Sequence, residues 1–203
     1  MIQRWDIVFI GHPSRNRYWG EGNDRAVRTP VCTCTLITGD DFRVLVDPSF
    51  SDADRMASEL HRRSGLELAE VDFVFMTHGH GDHVAGLSNF PQATWLAGES
   101  VARSINASGR YENEVLDAAA HLPPEIDLVS TPGHAEGHCS LRFDCDGQSV
   151  VIAGDATITR DFCRDGLASF GAPTEQERET VRRIREMANA IVPGHGNWFL
   201  SRL

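Results

Sequence analysis

Thr77-His78-Gly79-His80-Gly81-Asp82-His83 puts three imidazoles and a carboxylate within six residues. Neutral imidazole nitrogens and carboxylate oxygens are the donors that zinc and similar divalent ions take. In extended chain, residues i and i+2 point to one side, so His78 and His80 can face one ion together. Gly79 and Gly81 are expected to let the backbone bend sharply and aim Asp82 and His83 at a second position a few ångströms away. Three later segments follow the same plan. Ser130-Thr131-Pro132-Gly133-His134 carries a histidine on a Pro-Gly turn after a strand-like run. Val150 to Ala153 and Gly154 lead into Asp155, and Ile191-Val192-Pro193-Gly194-His195-Gly196 repeats the strand, Pro-Gly turn and histidine. Donors at the ends of strands are held rigidly, as a preorganised site requires.

Other residues have a bland reading beside the chemical one. Asp47 ends the apolar run Val44-Leu45-Val46 and is either an acceptor that orients a ligand histidine or a simple Asp-Pro turn. His12, on a Gly-His-Pro turn, fits either the lining of the cleft or a surface turn, while His61 and His121 fit a solvated helix face and a loop. Tyr18, in the Ser14 to Gly20 segment, and Arg160, after the acid at 155, are candidate substrate contacts. A packed loop and a surface ion pair are their alternatives.

The order HxHxDH, TPGHxxGH, GD and PGHG closely resembles the metallo-β-lactamase superfamily, over His78 to Gly196 and by extension the whole chain. The resemblance implies a four-layer αββα sandwich, an α/β fold, with a two-metal site at one edge. It implies His78, His80 and His134 on a first ion, Asp82, His83 and His195 on a second, and Asp155 bridging them. His138 fits the family's second histidine, a supporting residue and not a ligand. Asp47 falls where the family often places an acid near the ligands. Because His83 and Asp155 are both present, the resemblance points to the hydrolase, thioesterase and lactonase branches. Glyoxalase II-like enzymes carry an added helical region after the last ligand, and only Asn197 to Leu203 follow Gly196, so a glutathione thioesterase of that type is not expected.

The expected cofactor is a pair of divalent ions, zinc first, with iron or manganese compatible with the donors. Two ions about 3.5–4 Å apart can share one water and draw its pKa from about 15.7 toward ~7, which makes a metal-bound hydroxide available at neutral pH. Asp82 then orients that nucleophile and carries a proton to the leaving group. The expected reaction is hydrolysis of an ester, thioester, lactone or related bond in a small molecule. A mononuclear iron sulfur dioxygenase of the same fold and a non-catalytic metal-binding module are the rival readings.

The elements that must position these groups are readable as short apolar runs: Asp6 to Ile10, Val31 to Ile37, Phe42 to Val46, Val71 to Met76, Thr94 to Ala97, Ile126 to Val129, Ser140 to Phe143, Ser149 to Ala153 and Ala190 to Val192. Their length and β-branched content favour strands. Helices alternate with them. One is expected to start at an Ser51 cap with Asp54 at its third position and to end at Gly65; a second runs from about Glu99 to Ile105; a third starts at Thr174 with Glu177 completing a capping box. The stretches near 12–28, 106–124 and 156–173 are expected to hold specificity, with Asn106 to His121 as a long polar lid.

The chain has 203 residues, a formal charge of −10, 41% hydrophobic residues and nine histidines. That length suits one domain, residues 1–203, and the composition is that of an ordinary globular chain. The acidic balance argues against a nucleic-acid partner. No apolar run reaches the roughly 18 residues of a membrane helix, so a membrane partner is not expected either. Five cysteines without a CxxC pair, and an N-terminus without signal-peptide character, lead to an expectation of reduced thiols in the cytoplasm.

Overall fold

A computed structural model describes residues 1–202. Six strands form one sheet in sequential order: β1 (Ile2–Phe9), β2 (Cys34–Gly39), β3 (Arg43–Val46), β4 (Phe73–Met76), β5 (Thr94–Ala97) and β6 (Val115–Asp117). β1, β2 and β3 pair antiparallel, while β3 to β6 run parallel. A second sheet has the order β11-β10-β9-β8-β7, from β7 (Asp127–Ser130), β8 (Cys139–Cys145), β9 (Gln148–Gly154), β10 (Ala190–Pro193) and β11 (Phe199–Leu200). The helices are α1 (Ala53–Ser64), α2 (Glu99–Ala107), α3 (Ala118–His121), α4 (Arg160–Arg164) and α5 (Glu175–Met187).

Period-two alternation along the strands divides the core into layers. Leu45, Val74, Met76 and Trp95 pack with Met56 and Leu60 of α1 and with Val101 and Ile105 of α2. Their strand neighbours Val44, Val46, Phe75 and Leu96 face the other sheet, where they meet Leu141, Phe143, Val150, Ile152 and Val192. Val151, Ala153 and Ile191 turn outward onto Val181 and Ile184 of α5. The architecture is therefore the expected αββα sandwich.

Several boundaries differ from the expected ones. Asp52, not Ser51, caps α1, its carboxylate accepting the Arg55 backbone N–H, while Gly65 closes that helix at φ 78°. Thr174 and Glu177 form the reciprocal capping box of α5. Two short strands, β6 and β11, carry too few apolar residues to signal themselves in the sequence. β6 also interrupts the polar stretch Asn106 to His121. Val115 pairs with Trp95, and the Asn106 carboxamide bonds both Val115 N and Val115 O at 2.9 Å. The segment is thus the end of α2, an irregular connection over 108–114, an edge strand and α3.

The parallel stretches decide where chemistry can sit. The C-terminal ends of β3 and β4 in one sheet, and of β7, β9 and β10 in the other, open at the same edge of the sandwich. Asp47, His78, His134, Asp155 and His195 all follow those ends. The sheets are tied there by Cys139 N–H to Thr77 O (2.9 Å) and Thr33 N–H to Gly194 O (2.6 Å).

Candidate metal centre

The strand ends bring seven donors into one cluster. His78, His80, His134 and Asp155 form one group of potential ligands, and Asp82, His83 and His195 form a second. His78 Nε2 lies 2.9 Å from His80 Nδ1, which lies 3.1 Å from His134 Nε2. Asp155 stands between the groups, with Oδ2 3.2 Å from His134 Nε2 and Oδ1 3.4 Å from both His83 Nε2 and His195 Nε2. Asp82 Oδ2 is 3.4 Å from His195 Nε2 and 4.0 Å from His83 Nε2.

The outer nitrogens fix the tautomers. His83 Nδ1 donates to Asp47 Oδ2 (2.8 Å), His134 Nδ1 to Ala168 O (2.8 Å) and His195 Nδ1 to Val31 O (2.9 Å) and His12 O (3.1 Å). Thr77 Oγ1 donates to Asp47 Oδ2 (2.9 Å), so it accepts from His78 Nδ1 (3.1 Å). With those protons directed outward, the Nε2 lone pairs of all four rings face the cluster, the arrangement a cation needs. His83 Nε2 and Asp155 Oδ1 are buried without any hydrogen-bond partner. Such orphaned atoms are expensive unless something satisfies them. Nitrogen and oxygen donors crowded at these distances fit divalent ions in both groups.

Electrostatics point the same way. Burial pushes the His78 ring far below the ordinary imidazole range, with His83 adding to the effect. Burial also opposes charge on His83, but the Asp47 and Asp155 carboxylates outweigh it and raise its pKa. The second group therefore favours positive charge.

Asp47 is more than an Asp-Pro turn. It adopts φ 53°, in the left-handed region, while its carboxylate accepts from Thr77 N–H (2.8 Å), Thr77 Oγ1 and His83 Nδ1. His138 joins no ligand group. It stacks on His78 with ring centres 5.0 Å apart, its Nδ1 lies 2.8 Å from Thr131 Oγ1, and burial lowers its pKa to about 3, which keeps it neutral.

One expectation needs correction. Gly79 and Gly81 neither enter the left-handed region nor crowd anything, since a Cβ on either would meet open space. The bend comes from the turn closed by His83 N–H to His80 O (3.0 Å). The demanding glycines are Gly154, at φ 52° with a Cβ position 2.6 Å from Thr77 Oγ1, and Gly194, where a Cβ would collide with Asp155 Oδ1. Tyr18 packs against α4. Its hydroxyl donates to Asp165, its ring packs edge-on against Phe162, and burial with the Asp165 contact raises its pKa to about 12. Arg160 is exposed and lines a cavity of about 310 Å³ that reaches His195.

Thr77, Thr131 and the carbonyls of Val31, His12 and Ala168 carry the orientation of the rings and escape the sequence reading. Thr77 had a signal, its place directly before the histidine motif. A carbonyl has none, because every residue carries one. Of the remaining histidines, His61 pairs with Glu67 at 3.0 Å, and His121 Nδ1 bonds Asp117 O. All five cysteines are buried as free thiols. Among the described residues no helix is long and apolar enough to cross a membrane.

Three clefts flank the cluster. One, about 480 Å³, lies beside His80 and is lined by Val101, Ser104, Ala107 and Ala135 among others. A second, about 410 Å³, lies beside Asp82 with Val31, Ser49 and Arg55 in its lining, and the third is the 310 Å³ cavity beside His195. A larger groove of about 670 Å³ runs along the arginines of α5 and contains none of the seven donors, so volume alone would point to the wrong place.

Known proteins resemble this chain. A Xenopus laevis "Metallo-beta-lactamase domain-containing protein 1" is 31% identical over 80% of this chain and 69% of its own length. An "N-acyl homoserine lactonase" of Bacillus thuringiensis is 23% identical over 72% of this chain and 62% of its own. A solved Thermotoga maritima structure, described as a metallo-beta-lactamase, superposes with a TM-score of 0.74 over 98% of this chain and 99% of that one, at 19% identity. The family model of the metallo-beta-lactamase superfamily matches residues 27–195, and the chain belongs to that superfamily of metallo-hydrolases.

Proposed function

We propose that the protein hydrolyses an ester, thioester or lactone bond of a small molecule at a centre of two divalent ions, with zinc preferred. The observation that carries this reading is the convergence of seven donors, with the outer ring nitrogens of His78, His83, His134 and His195 tied away from the cluster. His78, His80 and His134 would hold the first ion and Asp82, His83 and His195 the second, with one Asp155 oxygen toward each. When bound, the ions would supply a water ionised near neutral pH and an electrophile for the scissile carbonyl oxygen.

The chain's own groups do the rest. Asp82 Oδ2 faces His195, which leaves Oδ1 to take the proton of the attacking water and return it to the leaving group. Asp47 and Thr77 hold the rings of His83 and His78 in register. The likeness to N-acyl homoserine lactonases supports a cyclic or activated carbonyl as the substrate.

Elemental analysis of the purified protein, paired with a panel of esters, thioesters, lactones and phosphodiesters, tests the reading. Two zinc ions per chain and carbonyl-ester hydrolysis that a chelator abolishes is the expected result. One iron per chain with persulfide-dependent oxygen uptake would replace it by the sulfur dioxygenase reading. Stoichiometric metal without any hydrolysis would leave a metal-binding module.

A further inference from the structure

The Asn16 side chain is oriented without ambiguity. Its Oδ1 accepts the Tyr18 backbone N–H at 2.9 Å, so Nδ2 is the donor end, and Nδ2 has no partner although Asn16 is 1% exposed. Thr159 presents a similar case. Its hydroxyl stands before α4 without capping it, is unpartnered, and belongs to a residue 7% exposed. Buried donors left without acceptors are costly and call for an explanation.

Both residues line the 310 Å³ cavity whose wall includes His195. Arg160 lies on the same wall, and its side chain makes no ion pair or hydrogen bond among the described residues. The acid that shares the cavity, Asp161, is paired with Arg164 at 3.3 Å. Trp19 and Trp198 complete the lining and are 56% and 43% exposed; Trp198 is braced edge-on by Trp5 with ring centres 5.7 Å apart. Two neutral donors and a guanidinium suit two anionic oxygens, because Arg presents a planar fork that matches a carboxylate. The indoles suit a flat apolar group next to it. The cleft beside His80 lacks this set: its Arg103 is paired with Glu99 at 2.6 Å.

We propose that the cavity formed by Asn16, Thr159, Arg160, Trp19 and Trp198 is a substrate subsite for a carboxylate borne next to a flat apolar group. The substrate class is then an acidic ester, thioester or lactone. This rests on the hydrolase reading for its catalytic consequence, but the binding itself does not.

Tryptophan emission of the metal-loaded protein tests the subsite with phenylacetate, phenylacetamide and inorganic phosphate as probes. Saturable quenching is expected with phenylacetate, absent with the amide, and at least tenfold weaker in Arg160→Gln and in Asn16→Asp, which keeps the oxygen that caps Tyr18. Binding unchanged in Arg160→Gln would mean that the carboxylate sits on the ions, and would overturn the proposal. Equal binding of the amide, or equally tight binding of phosphate, would overturn it too. In the kinetic arm, kcat/KM is compared for 4-acetoxyphenylacetate and 4-acetoxyphenylacetamide. Arg160→Gln is expected to collapse their ratio about tenfold through KM, and a ratio that does not move counts against the subsite. If the wild type cleaves neither ester, the titration alone decides the subsite, and the hydrolase reading is decided separately by the wider panel of esters, thioesters, lactones and phosphodiesters.

Discussion

At the scale of single residues, ring orientation carries more than ligand identity. Asp47 touches no potential ion position, yet it accepts from His83 Nδ1 and from Thr77, which in turn receives His78 Nδ1. Removing such a partner typically weakens metal binding about 10–100-fold. Asp47→Asn should therefore lose affinity in that range, at the second ion before the first, as read by competition with a chromophoric chelator. Tyr18 supplies a different test. Its pKa is raised to about 12 by burial and the Asp165 contact, against about 10 in an unfolded chain. The sign follows from proton linkage: between those values the folded state binds more protons than the unfolded state. Stability from this group is complete below about pH 10 and lost as pH rises toward about 12. Urea melts should show that alkaline loss, and Tyr18→Phe should flatten it; an unchanged alkaline limb would refute the assignment.

Elements contribute through where they stop. Parallel pairing of β3 with β4 and of β9 with β10 sends successive strand ends to one edge, and the turns beyond them carry the donors. The tolerance of those turns is uneven. A Cβ at Gly194 would collide with the Asp155 carboxylate that stands between the two groups, whereas a Cβ at Gly79 meets nothing. Gly194→Ala should thus cost at least tenfold in zinc affinity, by analogy with the loss of a group that orients a ligand. Gly79→Ala should keep its unfolding free energy within about 0.5 kcal/mol of the parent, as ordinary surface changes do. Zinc titration and denaturant melts of the two variants read both outcomes, and equal losses would show that the crowding at Gly194 is relieved by a backbone shift.

For the whole molecule, the centre works as a clip between layers. Ligand residues from both sheets meet in it, so an ion bound there holds the sandwich shut at that edge and binds the folded chain in preference to the unfolded one. At free metal 100 times Kd, one site adds about 2.7 kcal/mol. For a chain of this size that corresponds to a rise in Tm of roughly 5–10 °C per site. Calorimetry before and after chelation, with zinc restored, should show the loss and its recovery. A Tm indifferent to chelator would mean that the donors hold no ion. The net charge of −10 is mostly unrelated to this, since Asp47, Asp82 and Asp155 are the only acids in the cluster.

The amino-acid order by itself determined the donors and the strands before them. His78, His80, Asp82, His83, His134, Asp155 and His195 sit at spacings that few other constraints produce, and apolar runs of strand length are a local signal. β6 and β11 were illegible because two or three residues carry no period, and the cap of α1 moved by one residue because Ser51 and Asp52 are both competent caps. Tertiary structure alone decided the rest. It joined two sheets so that His134, Asp155 and His195 approach the motif at 78–83, and it selected which nitrogen of each ring faces inward. It packed the Tyr18 ring against Phe162 and brought Asn16, Thr159 and Arg160 to the lining of one cavity. The physical reason is that hydrogen-bond partners such as Val31 O and Ala168 O are backbone atoms brought close by folding, and residue type encodes nothing about which carbonyl will arrive.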